Sequence, residues 1–302
     1  MFEIKKHLAY SEDCFERPHR PGNRDVCICA DFDSLPAQFG KGMVRIVMDG
    51  MSQANGKEAV EAAAPSLYLH LIGELMRLSR ELSGKAEEIG SRMSAGISIR
   101  EYLEGRMRGI LLDGIRTTNN ILRCSPGGKA YCTVSVAVIF HRYLFTANMG
   151  DSPILLLDRT APEPELLPLY DMDNEAGRKI AMGELTEEEA LHSEYQNGLL
   201  RFLGFEKRDL LEDENIHFRM TLLPASFVLL LGSDGALAQL PRAEMAAMLV
   251  KHLNAMPVKQ QGDEEPNDDD PLREFLDELK QAVEETGSDD DFTLLADWVV
   301  SD

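Results

Sequence analysis

Three apolar runs, YCTVSVAVIF (131–140), RYLFTAN (142–148) and SPILLLD (152–158), follow one another almost without interruption. Each has the length and the β-branched, aromatic-rich composition of a strand. Only His141 separates the first two, and Met149-Gly150-Asp151 the next. A parallel crossover needs roughly a dozen residues or more, so strands this close should pair antiparallel. The middle of the chain is therefore expected as an antiparallel meander, which excludes a doubly wound parallel sheet.

Further strand-like runs occur at VCICADF (26–32), MVRIVMD (43–49), SFVLLLGSD (226–234) and FTLLADWVV (292–300). From Glu58 to Leu82, Val60, Ala63, Leu67, Leu71, Leu75 and Leu78 recur at helical spacing, with Pro65 kinking or restarting the helix. Leu103, Met107, Ile110, Leu111, Ile115 and Ile121 do the same from Ile99 to Leu122, with SGKAEEIGSRMSAG as the turn between. Arg242–Leu253 and Leu272–Val283 read as helices flanking QQGDEEPNDDDP, a solvated acidic loop. Residues 159–225 are less regular, with a helix start at LTEEEAL, and suggest a surface excursion beside a cleft. Helices inserted into antiparallel strands imply an α+β layered fold, here one domain over 1–302.

With 302 residues and a net charge of −21, the chain repels nucleic acid and anionic membranes. An anionic substrate would need a bound cation to reverse the sign locally. No apolar run reaches the roughly 18 residues of a membrane span, and the charged N-terminus lacks a signal-peptide core. The five cysteines, Cys14, Cys27, Cys29, Cys124 and Cys132, form no CxxC pair. Free thiols in a cytoplasmic, reducing setting are the expectation.

Aspartates recur at strand ends. MVRIVMDGM and FVLLLGSDGAL each run from an apolar strand into Asp-Gly and then a helix, at Asp49-Gly50 and Asp234-Gly235. RPGNRDVCICADF and TGSDDDFTLLADWVV place Asp25, and Asp290 with its neighbours Asp289 and Asp291, just ahead of a strand. Singly, each is an ordinary turn residue. On one sheet edge they would converge, and converging carboxylates persist at neutral pH only when protonated or bound to a cation. All-oxygen ligands favour Mg²⁺ or Mn²⁺, and the seven scattered histidines include no HExxH.

These motifs resemble the PPM, or protein phosphatase 2C-type, metal-dependent serine/threonine phosphatases, in their bacterial form. RPGNRD resembles the family's Arg-x-x-Asn-Glu-Asp through Arg20, Asn23 and Asp25, and VMDGMSQANGKEAVEAAA its Asp-Gly-Met-Gly-Gly segment. YCTVSVAVIF and FTANMGDSPILLL resemble its Gly-Thr-Thr strand and its Ala-Asn-x-Gly-Asp-Ser strand. NGLLRFLG resembles Asn-x-Leu-Thr-Arg-x-Leu-Gly, LLLGSDGAL resembles Leu-x-Ser-Asp-Gly-Leu, and DDFTLLADWVV resembles Asp-Asn-x-Thr. The order holds from about residue 20 to 300.

The resemblance implies a four-layer α/β/β/α sandwich of two antiparallel sheets, with two Mn²⁺ or Mg²⁺ ions at one end. It implies that Asp49 bridges the ions, that the Gly50 carbonyl ligates one, and that Asp234 and Asp290 hold the other. Asp25 would contact metal-bound water, Arg20 the substrate phosphate, and Asp151 a third ion. The implied activity is hydrolysis of phosphoserine and phosphothreonine by a metal-bridging hydroxide, in a monomer acting on phosphoproteins and opposing a Ser/Thr kinase. The chain departs at Arg24 (Glu in the motif), Ser52-Gln53 (Gly-Gly) and Pro153 (Arg), and Met51 stands where some relatives carry a proposed general-acid His. Arg24 motivates an alternative: a catalytically impaired domain that binds a phosphoprotein or regulates a partner.

Overall fold

The computed structural model describes residues 2–13, 22–32, 42–52, 54–84, 98–124, 129–191, 193–205, 215–255 and 270–301. Among the described residues, ten strands make two five-stranded sheets. One sheet has the order β1 (Phe2–Glu12), β10 (Phe292–Ser301), β9 (Ser226–Gly232), β6 (Ile154–Asp158), β7 (Leu166–Pro168). The other runs β2 (Asp25–Phe32), β3 (Gly42–Asp49), β4 (Val134–Phe140), β5 (Tyr143–Met149), β8 (His217–Leu222). All registered neighbours are antiparallel.

The period-2 pattern of the strands builds the layers. Val44, Ile46 and Met48 of β3 pack with Val136 and Val138 against Leu67, Leu71, Met107 and Leu111 of the helices α1 (Gly56–Gly84) and α2 (Ile99–Arg123). Met43 and Val47 turn the other way, joining Leu156, Leu229 and Leu295 between the sheets. Val228, Leu230 and Leu294 face Leu249, Phe275 and Leu279 on the remaining two long helices (242–255 and 271–285). The result is the expected α/β/β/α sandwich, with helical layers outside and three apolar cores. A helix runs through Pro65 unbroken, and Ser98 with Glu101 forms a capping box that starts α2.

The expected meander is half right. β4 and β5 form the hairpin, but β6 leaves that sheet and pairs with β9 and β7 in the other. A connection of a few residues spans the roughly 10 Å between stacked sheets as readily as it makes a hairpin. Gly150 turns this corner with φ of 110°, where a Cβ would meet the Cβ of Thr133 at 2.6 Å. The strands β1, β7 and β8 were not expected from the sequence. The turn expected at 83–96 and the acidic stretch near 262–270 fall largely outside the described residues.

One buried ion pair ties the two sheets. Arg45 of β3 donates from Nε and Nη2 to Asp297 of β10 at 2.7 and 2.8 Å, and both side chains are almost fully enclosed. His7 Nδ1 on β1 lies 2.8 Å from the same carboxylate. Arg45 shares its strand with Asp49, and Asp297 lies on the strand that begins just past Asp290. The pair therefore fixes the relative setting of the two strands that carry the site.

Candidate metal centre

Four strand ends meet at one end of the sandwich, two from each sheet. Asp25 and Asp49 are direct neighbours in the β2–β3 register. Asp234 follows β9 and opens a short helical turn (234–237), while Asp290 and Asp291 precede β10. Ser233 and Thr293 lace the second pair of ends: Ser233 N donates to Thr293 O at 3.0 Å, and Thr293 N donates to Ser233 Oγ at 3.0 Å.

Glycines let these ends close up. Gly50 N donates to Arg24 O at 3.1 Å, and a Cβ at Gly50 would collide with the Gly56 backbone. A Cβ at Gly235 would run into the Asp291 carbonyl oxygen. The Asp-Gly pairs are thus close-approach positions, and each places a carboxylate where two strands end together. Asp49 is further held by its backbone, whose N–H donates to Thr133 Oγ1 at 3.1 Å and whose carbonyl accepts from Thr133 N at 2.8 Å.

The carboxylates sense one another. Burial raises the Asp49 pKa well above the usual carboxylate range, and the charges of Asp25, Asp234 and Asp290 raise it further. Burial lifts Asp234 to about 6, with Asp290 adding to the effect and a hydrogen bond from Asp49 opposing it. Asp25 is pushed up to about 7 by burial, against the Ser233 and Thr293 hydroxyls, which lower it, with Asp291 and Asp234 adding to the rise. Both Asp25 carboxylate oxygens are buried, and among the described residues neither has a hydrogen-bond partner of good geometry. Ser233 Oγ also donates to Asp291 O at 3.2 Å, and Thr293 Oγ1 pairs with Ser11 Oγ at 2.7 Å.

Asp151 joins the cluster from the β5–β6 corner. Burial and the charge of Asp234 raise it to about 8, against a 2.9 Å hydrogen bond donated by Asn174 Nδ2. Nothing in the sequence pointed to Asn174, which sits in the irregular 159–225 region. Nor did anything mark Asp173, whose carboxylate accepts from Gly150 N at 3.2 Å and from Arg201 Nη1 at 2.6 Å. His217 Nε2 lies 2.8 Å from Asp173 Oδ1.

Among the described residues no three His, Cys, Asp or Glu side chains are already gathered into a ready-made ligand set. The donor chemistry still fits a hard divalent cation: carboxylate and carbonyl oxygens, the carboxylates buried and mutually repelling. Arg20 lies outside the described residues. Asp290 is the member of the acidic run whose charge reaches both Asp49 and Asp234, whereas Asp291 Oδ2 accepts from Arg24 Nε at 3.0 Å. A cleft of about 1360 Å³ opens beside the cluster, lined by Asp151, Asp234, Arg201, His217, Arg219 and Arg242 among others. No helix among the described residues is long and apolar enough to cross a membrane.

No protein-family profile and no curated protein matches the chain. Solved structures do. The serine/threonine phosphatase of S. agalactiae is similar with a TM-score of 0.64 at 20% identity, over 100% of both chains. MsPP, a PPM Ser-Thr phosphatase from Mycobacterium smegmatis solved with cacodylate, gives 0.60 at 19% identity, over 97% of this chain and 98% of that one. The catalytic domain of the phosphatase PstP, solved with two manganese ions, gives 0.61 at 18% identity over 100% of both chains. The chain has the fold of the PPM serine/threonine phosphatases.

Proposed function

We propose that this chain is a metal-dependent protein phosphatase that hydrolyses phosphoserine and phosphothreonine. The observation that carries the reading is the meeting of Asp25, Asp49, Asp234 and Asp290 from four strand ends, where burial and mutual repulsion raise Asp25, Asp49 and Asp234. Asp49 is assigned to two divalent ions, with the Gly50 carbonyl on one of them and Asp234 and Asp290 on the other. Asp25 orients water, Asp151 serves a third ion, and Arg20 receives the substrate phosphate. When bound, Mn²⁺ or Mg²⁺ neutralises the cluster and makes water acidic enough to attack phosphorus near neutral pH. The manganese pair in PstP supports that choice of ion.

The protein's own residues do the rest. Thr133 and Ser233 fix the strand ends, and the inter-sheet pair of Arg45 and Asp297 sets one pair of ends against the other. Asn174 aims the Asp151 carboxylate, and the cleft beside it is assigned to the peptide around the phosphoresidue. Its arginines are each paired with a carboxylate, Arg201 with Asp173 and Arg219 with Asp171, so the groove is not a bare anion trap. The physiological counterpart is then a Ser/Thr kinase. The described cysteines, Cys27, Cys29, Cys124 and Cys132, are free, which accords with a cytoplasmic setting.

The test is hydrolysis of p-nitrophenyl phosphate and of a phosphothreonine peptide, with and without Mn²⁺, by wild type and Asp49→Ala. Turnover that requires Mn²⁺ and disappears in the variant is expected. A second reading, an impaired phosphatase-like domain that binds phosphoproteins, is favoured by Arg24, whose side chain engages Asp290 and Asp291. Absent turnover with intact Mn²⁺ binding would select it.

A further inference from the structure

Arg24 is the one cation inside the carboxylate cluster among the described residues, and it is built in. It is 5% exposed. Its backbone N–H and its Nε both donate to Asp291 Oδ2, at 3.1 and 3.0 Å, and its Nη2 donates to Asp290 Oδ1 at 3.3 Å. The charge of Asp49 reaches it as well. Asp291 is nearly enclosed, with its side chain 4% exposed, whereas that of Asp290 is 39% exposed. The guanidinium is thus clamped from behind by a buried carboxylate while its outer nitrogen holds the more open one. A guanidinium does not deprotonate in a protein, so this positive charge is permanent.

The two residues that depart from the phosphatase motifs here touch each other. Arg24 stands at the Glu of Arg-x-x-Asn-Glu-Asp, and Asp291 at the Asn of Asp-Asn-x-Thr. A buried arginine without a partner would be strongly destabilising, and Asp291 supplies that partner.

We propose that Arg24 is a resident cation of the centre, holding Asp290 where a second divalent ion would otherwise sit. The site then takes one divalent cation tightly, through Asp49 and the Gly50 carbonyl, and admits the second, on Asp49, Asp234 and Asp290, only by drawing Asp290 away from the guanidinium. Asp291 is the positioning residue that keeps the guanidinium in place. The inference rests on the metal-dependent reading above and concerns stoichiometry and affinity, not turnover.

The experiment is calorimetric titration of Mn²⁺ into chelator-treated, full-length protein. Wild type should bind one Mn²⁺ tightly and a second at least roughly tenfold more weakly, as expected when a close charge pair must be broken. Arg24→Gln/Asp291→Asn removes the pair without stranding either charge, and should tighten the second site by at least about tenfold while the first changes little. Arg24→Lys keeps the charge and should leave the second site weak. Two equally tight Mn²⁺ in wild type would overturn the inference while leaving the phosphatase reading intact, and that isotherm requires no variant. An unchanged second site in the double variant would overturn it too. Failure of Mn²⁺ to bind either protein would overturn both the inference and the reading beneath it.

Discussion

Asp297→Ala should unfold the sandwich more easily by about 3–5 kcal/mol, the range for stranding one partner of a buried ion pair. Asp297 is 0% exposed and Arg45 is 1% exposed, so water cannot replace the lost acceptor. Two charge-assisted hydrogen bonds from Arg45, at 2.7 and 2.8 Å, and the 2.8 Å bond to His7 Nδ1 are lost outright. Some of the cost is recovered, because Arg45 Nη1 still reaches Asp31 Oδ1 at 2.8 Å and the carbonyls of Val44 and Ala30 at 3.0 and 3.1 Å. The lower end, about 3 kcal/mol, is therefore the working figure. For a chain of this size that corresponds to a fall of roughly 6–12 °C in melting temperature. Urea unfolding and thermal melts at pH 7 measure both. Arg45→Met/Asp297→Leu strands no charge and should regain most of the loss. A cost under about 1 kcal/mol for Asp297→Ala, or a double variant no better than the single, would refute the view that this pair aligns the sheets.

Three further outcomes are expected. Mn²⁺ at a hundredfold excess over its Kd should stabilise wild type by about 2.7 kcal/mol per site in chemical unfolding, and Asp49→Asn should lose most of that gain. Gly235→Ala, whose Cβ would meet the Asp291 carbonyl, should cost roughly 1–3 kcal/mol in urea and weaken Mn²⁺ binding, whereas Gly105→Ala on open helix surface should not. His7 is raised to about 9 from 6.5, chiefly by its hydrogen bond to Asp297. Its contribution to stability is therefore complete below pH 6.5 and fades as the pH rises through 9, so unfolding of wild type and His7→Gln should differ at pH 6 and converge near pH 10.

The strands that end in Asp-Gly were legible because their apolar runs are short, dense and abruptly terminated, as in MVRIVMDG and FVLLLGSDG. β1 was not, because FEIKKHLAYSE scatters charge through an edge strand whose outer side faces water. β8, HFRMTL, carries too little apolar character to stand out from the irregular region around it. The move of β6 to the other sheet was hidden because a few residues serve a hairpin and a sheet change equally well. Convergence of the aspartates could be read only as a pattern of strand ends. The contacts of Arg24 with Asp291, and of Arg45 with Asp297, join residues more than two hundred positions apart, and no local periodicity records such pairings.

Arg24 bears on whether the centre is a working site or a dismantled one. A dismantled site has no need for carboxylates that oppose folding, yet burial and mutual repulsion hold Asp25 near 7 and Asp234 near 6, and raise Asp49 well above its usual range. Each such group lowers stability at neutral pH unless a cation offsets it, and asparagine at the same position would not. One guanidinium, hydrogen-bonded to Asp291 and Asp290 and reached by the charge of Asp49, makes no hydrogen bond to Asp25, Asp49 or Asp234 among the described residues. What remains is a centre short of positive charge but no longer short by as much as the bare carboxylates alone would be. That intermediate state suits a site holding one divalent ion firmly and a second loosely, and the Mn²⁺ isotherm of the wild-type protein is the measurement on which that uneven occupancy turns.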